Sequence, residues 1–497
     1  MVQTSNPPPP PPHHHHQALV LKSAIYSRLT VLTLITIWRI LLSPYDTSAP
    51  LNPPCLSSTT TTPNHPLPPQ SRIENSVVWD SVYFLRIAQC GYEYEQTYAF
   101  LPLLPLSISF FSRTVFAPLI PFFGQRAVLA LSAHVINNLA FVLAALFLYR
   151  LSITILKDPE VALRATILFC FNPASIFYSS IYSESLYALL SFGGLYYFVS
   201  GGNNKAILLL ALSGCARSNG VLNAGYLCFQ TMHRAYHAIF QKKRVALALQ
   251  IVTVGALRSA CIFAPFIAFQ AYGYYNMCVG HSLDEIRPWC KARVPLLYNY
   301  IQSRYWNVGF LRHFQLKQLP NFLLASPILS LALCSIVHYA KSRPQNFFSL
   351  GFQTTINEKS CGVVFLSDDL SRSKAAGIVE KSSLEEHFNL RRRKNVIKGD
   401  VANIPTESEP AAAPGYLSAS VLPFVLHLGF MAAAAFLVMH VQVATRFLSS
   451  SPPLYWFASY IMTYPAKCFR WGYMIWAYSA AYIFLGSLLF SNFYPFT

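Results

Sequence analysis

Charge is what this chain lacks. Of 497 residues only 11% are charged, against about 25% in a soluble globular domain. A deficit of that size over this length excludes a conventional soluble surface. Disorder throughout is excluded as well, because disorder needs low hydrophobicity and high charge, whereas 54% of the residues here are hydrophobic. Several motifs are missing too. There is no P-loop, no GxGxxG following a strand, no HExxH and no GxSxG, which removes the usual supports for nucleotide-driven transport and for a membrane metalloprotease. No CxxC or Cys/His spacing suggests zinc, and no Asn-x-Ser/Thr acceptor occurs. What remains is a polytopic, all-α integral membrane protein, with a mean hydropathy of +0.37.

The net charge of +18 comes from 37 basic and 19 acidic residues. Basic residues collect on cytoplasmic loops and anchor spans. No basic stripe with interleaved aromatics stands outside the apolar runs, so nucleic acid is not an expected partner. Apolar runs near 20 residues occur at 24–43, 99–121, 127–148, 161–180, 185–200, 206–230, 246–271, 319–340, 415–442, 453–466 and 472–492. Some are short or interrupted by proline, which predicts about eight to eleven spans.

The expected organisation has four parts. Residues 1–17, with Pro7–Pro12 and His13–His16, read as a disordered cytoplasmic tail. Residues 18–340 form a membrane region that opens with an uncleaved signal anchor and includes polar loops 44–98 and 272–318. Residues 341–414, with nine of the nineteen acids and the Arg391–Lys394 cluster, read as a disordered cytoplasmic loop. Residues 415–497 supply the last spans. The positive-inside rule puts Lys22, Lys242, Lys243, Arg244, Lys341 and Arg343 in the cytoplasm, and loops 44–98 and 272–318 in the lumen. Lys291, Arg293, Arg304 and Arg312 then run against the rule. The prolines of 99–121 allow a re-entrant helix instead of a crossing. Glu184 then moves to the luminal side, and parity is restored if 206–230 breaks at Ser218-Asn219-Gly220.

Scarce acids are easily enumerated. Outside 341–414 there are ten: Asp46, Glu74, Asp80, Glu93, Glu95, Asp158, Glu160, Glu184, Asp284 and Glu285. A membrane enzyme that needs a base has few other choices. Asp80 follows Trp79 at the head of a run with helical spacing, Trp79, Val82, Tyr83 and Arg86 sharing one face. Such an aromatic-rich helix lies at a bilayer interface. The bland alternative is that Asp80 caps that helix. Glu184 is the one acid inside an apolar stretch, either a functional group or a helix end reaching water. Arg217, between two apolar halves, and Arg446, at a span end, suit a lipid-linked phosphate or snorkel to a headgroup. Gln302-Ser303-Arg304-Tyr305-Trp306-Asn307 mixes amide, guanidinium and ring, which suits sugar binding and equally a plain interfacial belt. Cys278 and Cys290 share one loop and are able to pair in an oxidising lumen.

The order of short motifs carries a resemblance. Trp79-Asp80 precedes Ile87-Ala88 and Gly91-Tyr92, then Ala99-Phe100-Leu101-Pro102 with Pro105-Leu106. Next come Asn172-Pro173-Ala174-Ser175-Ile176-Phe177, Tyr182-Ser183-Glu184-Ser185 and Ala216-Arg217-Ser218-Asn219-Gly220. The series closes with Gln302, Tyr305-Trp306-Asn307-Val308-Gly309-Phe310, Gln318-Leu319-Pro320-Asn321-Phe322-Leu323-Leu324-Ala325, Thr445-Arg446-Phe447-Leu448-Ser449-Ser450-Ser451-Pro452 and Tyr455-Trp456. In this the chain resembles the GPI mannosyltransferase 2 family, over most of 24–340 and 415–492. The resemblance implies a GT-C-type glycosyltransferase of the endoplasmic reticulum membrane. It would transfer mannose in α-1,6 linkage, with inversion, from dolichyl-phosphate mannose to a GPI lipid intermediate bearing one mannose. It implies Asp80 as catalytic base with Trp79 beside it. Arg217, Arg446 and Arg304 are then candidates for the donor phosphate, and Trp306, Asn307, Gln302 and Glu184 for the sugar and acceptor. No tight acid cluster stands outside the first loop, so the expected reaction needs no cofactor or metal, a divalent ion being left open. A small accessory membrane subunit is also left open. The alternatives are another dolichol-dependent mannosyltransferase, a polytopic transporter or flippase, and a non-catalytic subunit.

Overall fold

The computed structural model describes residues 12–46, 53–56, 73–280, 287–354, 415–463 and 465–496. The Pro7–His14 side chains, Asp284, Glu285 and the Arg391–Lys394 cluster lie outside the described residues. Within them the chain is helical and holds no strand. The helices are α1 (Pro12–Leu41), α2 (Ser81–Cys90), α3 (Leu103–Arg113), α4 (Ile120–Phe123), α5 (Gln125–Leu156), α6 (Pro159–Cys170), α7 (Ser175–Ser179), α8 (Glu184–Val199) and α9 (Asn203–Ala216). They continue as α10 (Ala224–Tyr236), α11 (Val245–Cys278), α12 (Leu297–Tyr305), α13 (Leu319–Ser342), α14 (Pro344–Phe348), α15 (Leu422–Leu437), α16 (Ala444–Leu448), α17 (Pro452–Thr463) and α18 (Pro465–Ser491).

Among the described residues six helices are long and apolar enough to cross a membrane: His15–Leu41, Gln125–Leu156, Val245–Cys278, Leu316–Ser342, Ala419–Leu437 and Arg470–Ser491. A seventh span exists if Leu103–Arg113 and Ala117–Phe123, bent by 66°, count as one. The difference from eight to eleven has a local cause. The 161–180 run is broken at Asn172-Pro173, and the 206–230 run is broken where α9 ends at Ala216 and α10 starts at Ala224. The first helix also starts earlier than expected, at Pro12, inside the stretch read as a tail.

Breaks inside a bundle leave carbonyls without helical partners, and these need donors. Arg28, 3% exposed within α1, supplies them at the α6–α7 break. Its guanidinium donates to the Ser175 carbonyl at 2.9 Å, to Ser179 Oγ at 3.0 Å and to Ser175 Oγ at 3.2 Å. It also lies 3.8 Å from the centroid of the Phe141 ring. Asn172 closes the turn itself, accepting from the Ala174 N–H at 2.8 Å. The central core gathers on α5: Phe141 and Tyr149 pack with Phe169, Tyr178, Phe192, Phe424 and Trp456, all buried.

Helix α11 shows how apolarity is divided between neighbours and lipid. Its buried residues Ala248, Gly255, Ile262 and Phe269 recur every seven positions, a single narrow seam. Gly255 is required there, since a Cβ would overlap the Thr231 side chain of α10. Leu249, Val252, Leu257 and Ile267 face outward, as a lipid-contacting surface does. The polar loops are stapled covalently. Cys278 pairs with Cys290, and Cys55 pairs with Cys90, a bond that spacing did not reveal.

Candidate active site

Four broken or irregular backbone segments meet at one end of the bundle. Asp80 occupies the position before α2, yet its side chain makes no capping hydrogen bond. Its backbone N–H donates to the Tyr182 hydroxyl at 3.1 Å. Trp79 immediately before it has φ +53°, a conformation uncommon for any residue with a side chain and costly for a bulky one. The turn swings the Asp80 carboxylate away from the helix end and toward Arg446, whose guanidinium donates to Asp80 Oδ2 at 3.4 Å. The Trp79 indole, 38% exposed, packs 5.7 Å from the Phe493 ring at the chain's end. The capping reading of Asp80 therefore fails on geometry.

Glu184 opens α8 and is 1% exposed. Its Oε1 forms an ion pair with Arg217 and lies 3.7 Å from Arg446 Nε. Arg217 stands in extended conformation where α9 stops. The chain then folds back in a 3-10 turn, the Gly220 N–H donating to the Arg217 carbonyl at 2.9 Å. Only glycine fits at 220, because a Cβ would overlap the Ser213 carbonyl. Arg446 sits on the short α16, its guanidinium 5.2 Å from the Phe177 centroid and 5.3 Å from that of Tyr182. Burial by itself lowers the Arg446 pKa, and the Glu184 and Asp80 carboxylates more than reverse this, raising it. One carboxylate is thus shared by two arginines, and one arginine bridges two carboxylates.

The opposite wall is α12. Tyr298, Gln302 and Trp306 recur at intervals of four and face the cleft. Glu95 holds this element in place, accepting from Trp289 Nε1 and from the Tyr305 hydroxyl, each at 2.8 Å. His440 bonds to the Trp306 carbonyl, and its ring centroid is 3.6 Å from that of His313. The half-open cleft has a volume of about 410 Å³, within the range of small-ligand sites.

Seven of the nine candidates from sequence line this cleft: Trp79, Asp80, Glu184, Arg217, Gln302, Trp306 and Arg446. Two do not. Arg304 is exposed and absent from the wall, because a residue two after Gln302 points to the other side of a helix. Asn307 follows the helix end at φ +51° and is exposed. Glu184 belongs to the wall, but its carboxylate is occupied by arginines rather than offered to a sugar. Sequence reasoning assigned no role to Asn219, which lines the cleft at 5% exposure with Oδ1 and Nδ2 both lacking a hydrogen-bond partner among the described residues. Its signal was its place beside Arg217. Tyr182, Tyr298 and His440 were also missed. Cys55, Cys90 and Glu93 come close together, but the two cysteines are spent as a disulfide and offer no thiolate ligands.

These features define a multi-pass membrane protein whose polar cleft is assembled from broken helices, with a carboxylate and two arginines at its centre. The family described as Mannosyltransferase (PIG-V) matches residues 17–497, and the chain belongs to it. It is a membrane glycosyltransferase. GPI alpha-1,6-mannosyltransferase 2 of Rattus norvegicus is 30% identical over 472 residues, 89% of this chain and 84% of the relative. The Homo sapiens protein of that name is 32% identical over 414 residues, 77% of this chain and 72% of the relative. GPI mannosyltransferase 2 of Drosophila pseudoobscura pseudoobscura is 30% identical over 449 residues, 84% of this chain and 86% of the relative. No solved structure matches.

Proposed function

We propose that this cleft transfers mannose from dolichyl-phosphate mannose to the 6-hydroxyl of the mannose on a one-mannose GPI intermediate, on the luminal side of the endoplasmic reticulum membrane. The names of the relatives support the sugar, the linkage and the GPI pathway. The observation that carries the chemistry is the convergence of Asp80, Arg446 and Arg217 in one cleft.

The donor is a β-linked mannosyl phosphate and the product an α-glycoside, so the displacement inverts C1. The acceptor oxygen forms a bond to C1 as the bond from C1 to the phosphate oxygen breaks. The hydroxyl proton goes to the Asp80 carboxylate, and the electron pair leaves on dolichyl phosphate. Charge on that phosphate grows through the transition state, where preorganised cations act most strongly. Arg446 and Arg217 supply them. Glu184 positions both guanidinium groups without approaching the reacting atoms, and Arg446 releases Asp80 as the phosphate enters. Asn219 offers one donor and one acceptor to a sugar hydroxyl, while Trp306 gives a ring for the apolar face of a mannose. No metal is needed in this scheme.

The test is mannosyl transfer in microsomes from cells lacking their own second GPI mannosyltransferase and expressing this chain. Conversion of the one-mannose intermediate to the two-mannose form is the expected result. Persistence of the one-mannose form at normal expression overturns the acceptor and step.

A further inference from the structure

A second, open depression lies far from the cleft, with a volume of about 600 Å³. It is lined by the turn between α8 and α9 (Ser200 to Lys205), by Tyr196 and Tyr197, and by Arg258 of α11. Glu184 and Arg217 mark the cleft ends of α8 and α9, and this turn is at their other end, about 24 Å away at 1.5 Å per residue over the sixteen residues of α8. Arg258 stands about one helical turn nearer the cleft. It is twelve residues from Gln270, whose side chain accepts from the Tyr298 N–H beside the cleft, or about 18 Å along the helix.

Arg258 is the sole charged residue in the 34 residues of α11, and it stands well inside a helix able to cross a membrane. An ionisable group at such a place is costly and calls for a named partner. Arg258 has no ion pair or hydrogen bond among the described residues. The other cation of the depression, Lys205, has no carboxylate either; its ammonium lies 5.4 Å from the Tyr197 ring centroid. No acid lines the depression. Half-buried Arg258 and exposed Lys205, neither with a carboxylate among the described residues, therefore share one open depression, with Tyr196, Tyr197 and Asn204 at its edge.

We propose that this depression binds a phosphate-bearing anion, and specifically the headgroup of an anionic phospholipid in the leaflet opposite the cleft. A guanidinium matches a phosphate in a bidentate fork, and Lys205 adds a point charge. The amide and hydroxyl groups favour a headgroup that carries hydrogen-bonding groups over a methylated one. The site is separate from the mannosyl-transfer cleft and stands whether or not the acceptor assignment above holds.

The experiment uses the full chain in nanodiscs, as wild type, Arg258→Gln with Lys205→Gln, and Arg258→Lys. Lipid retained through exchange is read by native mass spectrometry. One arm offers phosphatidylcholine alone, one phosphatidylcholine with phosphatidylinositol, and one adds inorganic phosphate to that second mixture. Wild type should keep a single phosphatidylinositol against phosphatidylcholine. The double variant should bind it about tenfold more weakly or worse, as expected for losing charged hydrogen bonds, and Arg258→Lys should retain part of the binding. A thermal unfolding scan of the double variant in the same nanodiscs, matching wild type, reports that it is folded. Equal retention by wild type and the double variant, or equal retention of phosphatidylcholine, overturns the proposal. Displacement of phosphatidylinositol by inorganic phosphate at equal concentration assigns the site to free phosphate and overturns the headgroup.

Discussion

Replacing Asp80 by Asn separates catalysis from architecture. The substitution keeps size and shape and removes the charge and the basicity. Its structural cost is small on three counts. The Asp80 side chain makes no helix cap, so the roughly 0.5–2 kcal/mol of a lost cap does not arise. The carboxylate is 33% exposed and its partner Arg446 is 20% exposed, at a long 3.4 Å; the Asn amide oxygen still accepts from Arg446, so the loss stays at about 1 kcal/mol, the upper end for partly exposed pairs. The backbone bond to Tyr182 is untouched. The catalytic cost is larger. A general base contributes about 10²–10⁴ in rate, or about 3–5 kcal/mol of barrier at 1.36 kcal/mol per decade. Detergent-solubilised Asp80→Asn should therefore match wild type in yield and unfold within a few degrees of it. Its turnover of dolichyl-phosphate mannose under saturating acceptor should fall at least a hundredfold. The assay is transfer from radiolabelled donor, run beside a thermal unfolding scan. Turnover within tenfold of wild type would refute the base. So would a loss of activity that merely tracks a loss of folded protein.

Four other perturbations probe the surrounding structure. Glu184→Gln leaves Arg217 and Arg446 side by side without their shared counter-charge. Breaking a buried pair costs about 3–5 kcal/mol, and the low end applies because the arginines are 15% and 20% exposed; unfolding temperature and donor turnover should fall together, and an unchanged unfolding temperature contradicts this. Gly220→Ala drives a methyl into the Ser213 carbonyl, an overpacking of about 1–3 kcal/mol, and should impair donor use through a displaced Arg217 more than expression; normal donor kinetics would count against the turn's role. Asn219→Ala breaks no internal hydrogen bond, so stability should hold while kcat/KM drops about tenfold from one lost substrate bond; a drop in stability without a kinetic effect would make Asn219 structural. Burial, then the adjacent His440, lowers the His313 pKa. Its neutral form is favoured by folding, so stability is full above the unfolded value of about 6.5 and declines as pH falls below it. Thermal scans across that window should show the decline, and His313→Gln should flatten it.

Some of the site was legible because rarity is informative in a membrane chain. Ten acids outside one long loop leave few candidates for a base, and Asp80, Glu184, Arg217 and Arg446 each stood out by being charged next to apolar sequence. The four do meet. Spacing was less reliable within the Gln302–Asn307 run. Composition placed Arg304 and Asn307 with Gln302 and Trp306, whereas the 100° step of the helix turns Arg304 away and Asn307 lies past the helix end at φ +51°. The span map was coarser for a related reason, although the break it allowed at Ser218-Asn219-Gly220 is present. Hydropathy sums over a window and does not see that Asn172-Pro173 breaks the helix, because the carbonyls so freed are satisfied by groups far away in sequence, such as Arg28.

By itself the sequence determined the class of solvent, the all-helical architecture and the short set of groups able to carry charge through chemistry. Each follows from local or additive properties: transfer free energy, backbone satisfaction in lipid and residue counts. Tertiary structure alone decided that Asp80 turns away from its own helix, that Glu184 is shared between Arg217 and Arg446, that Asn219 is left unpaired in the cleft wall, and that Arg258 and Lys205 face one depression. Those facts depend on contacts between segments up to 366 residues apart, and no local preference encodes which distant partner a buried charge will find.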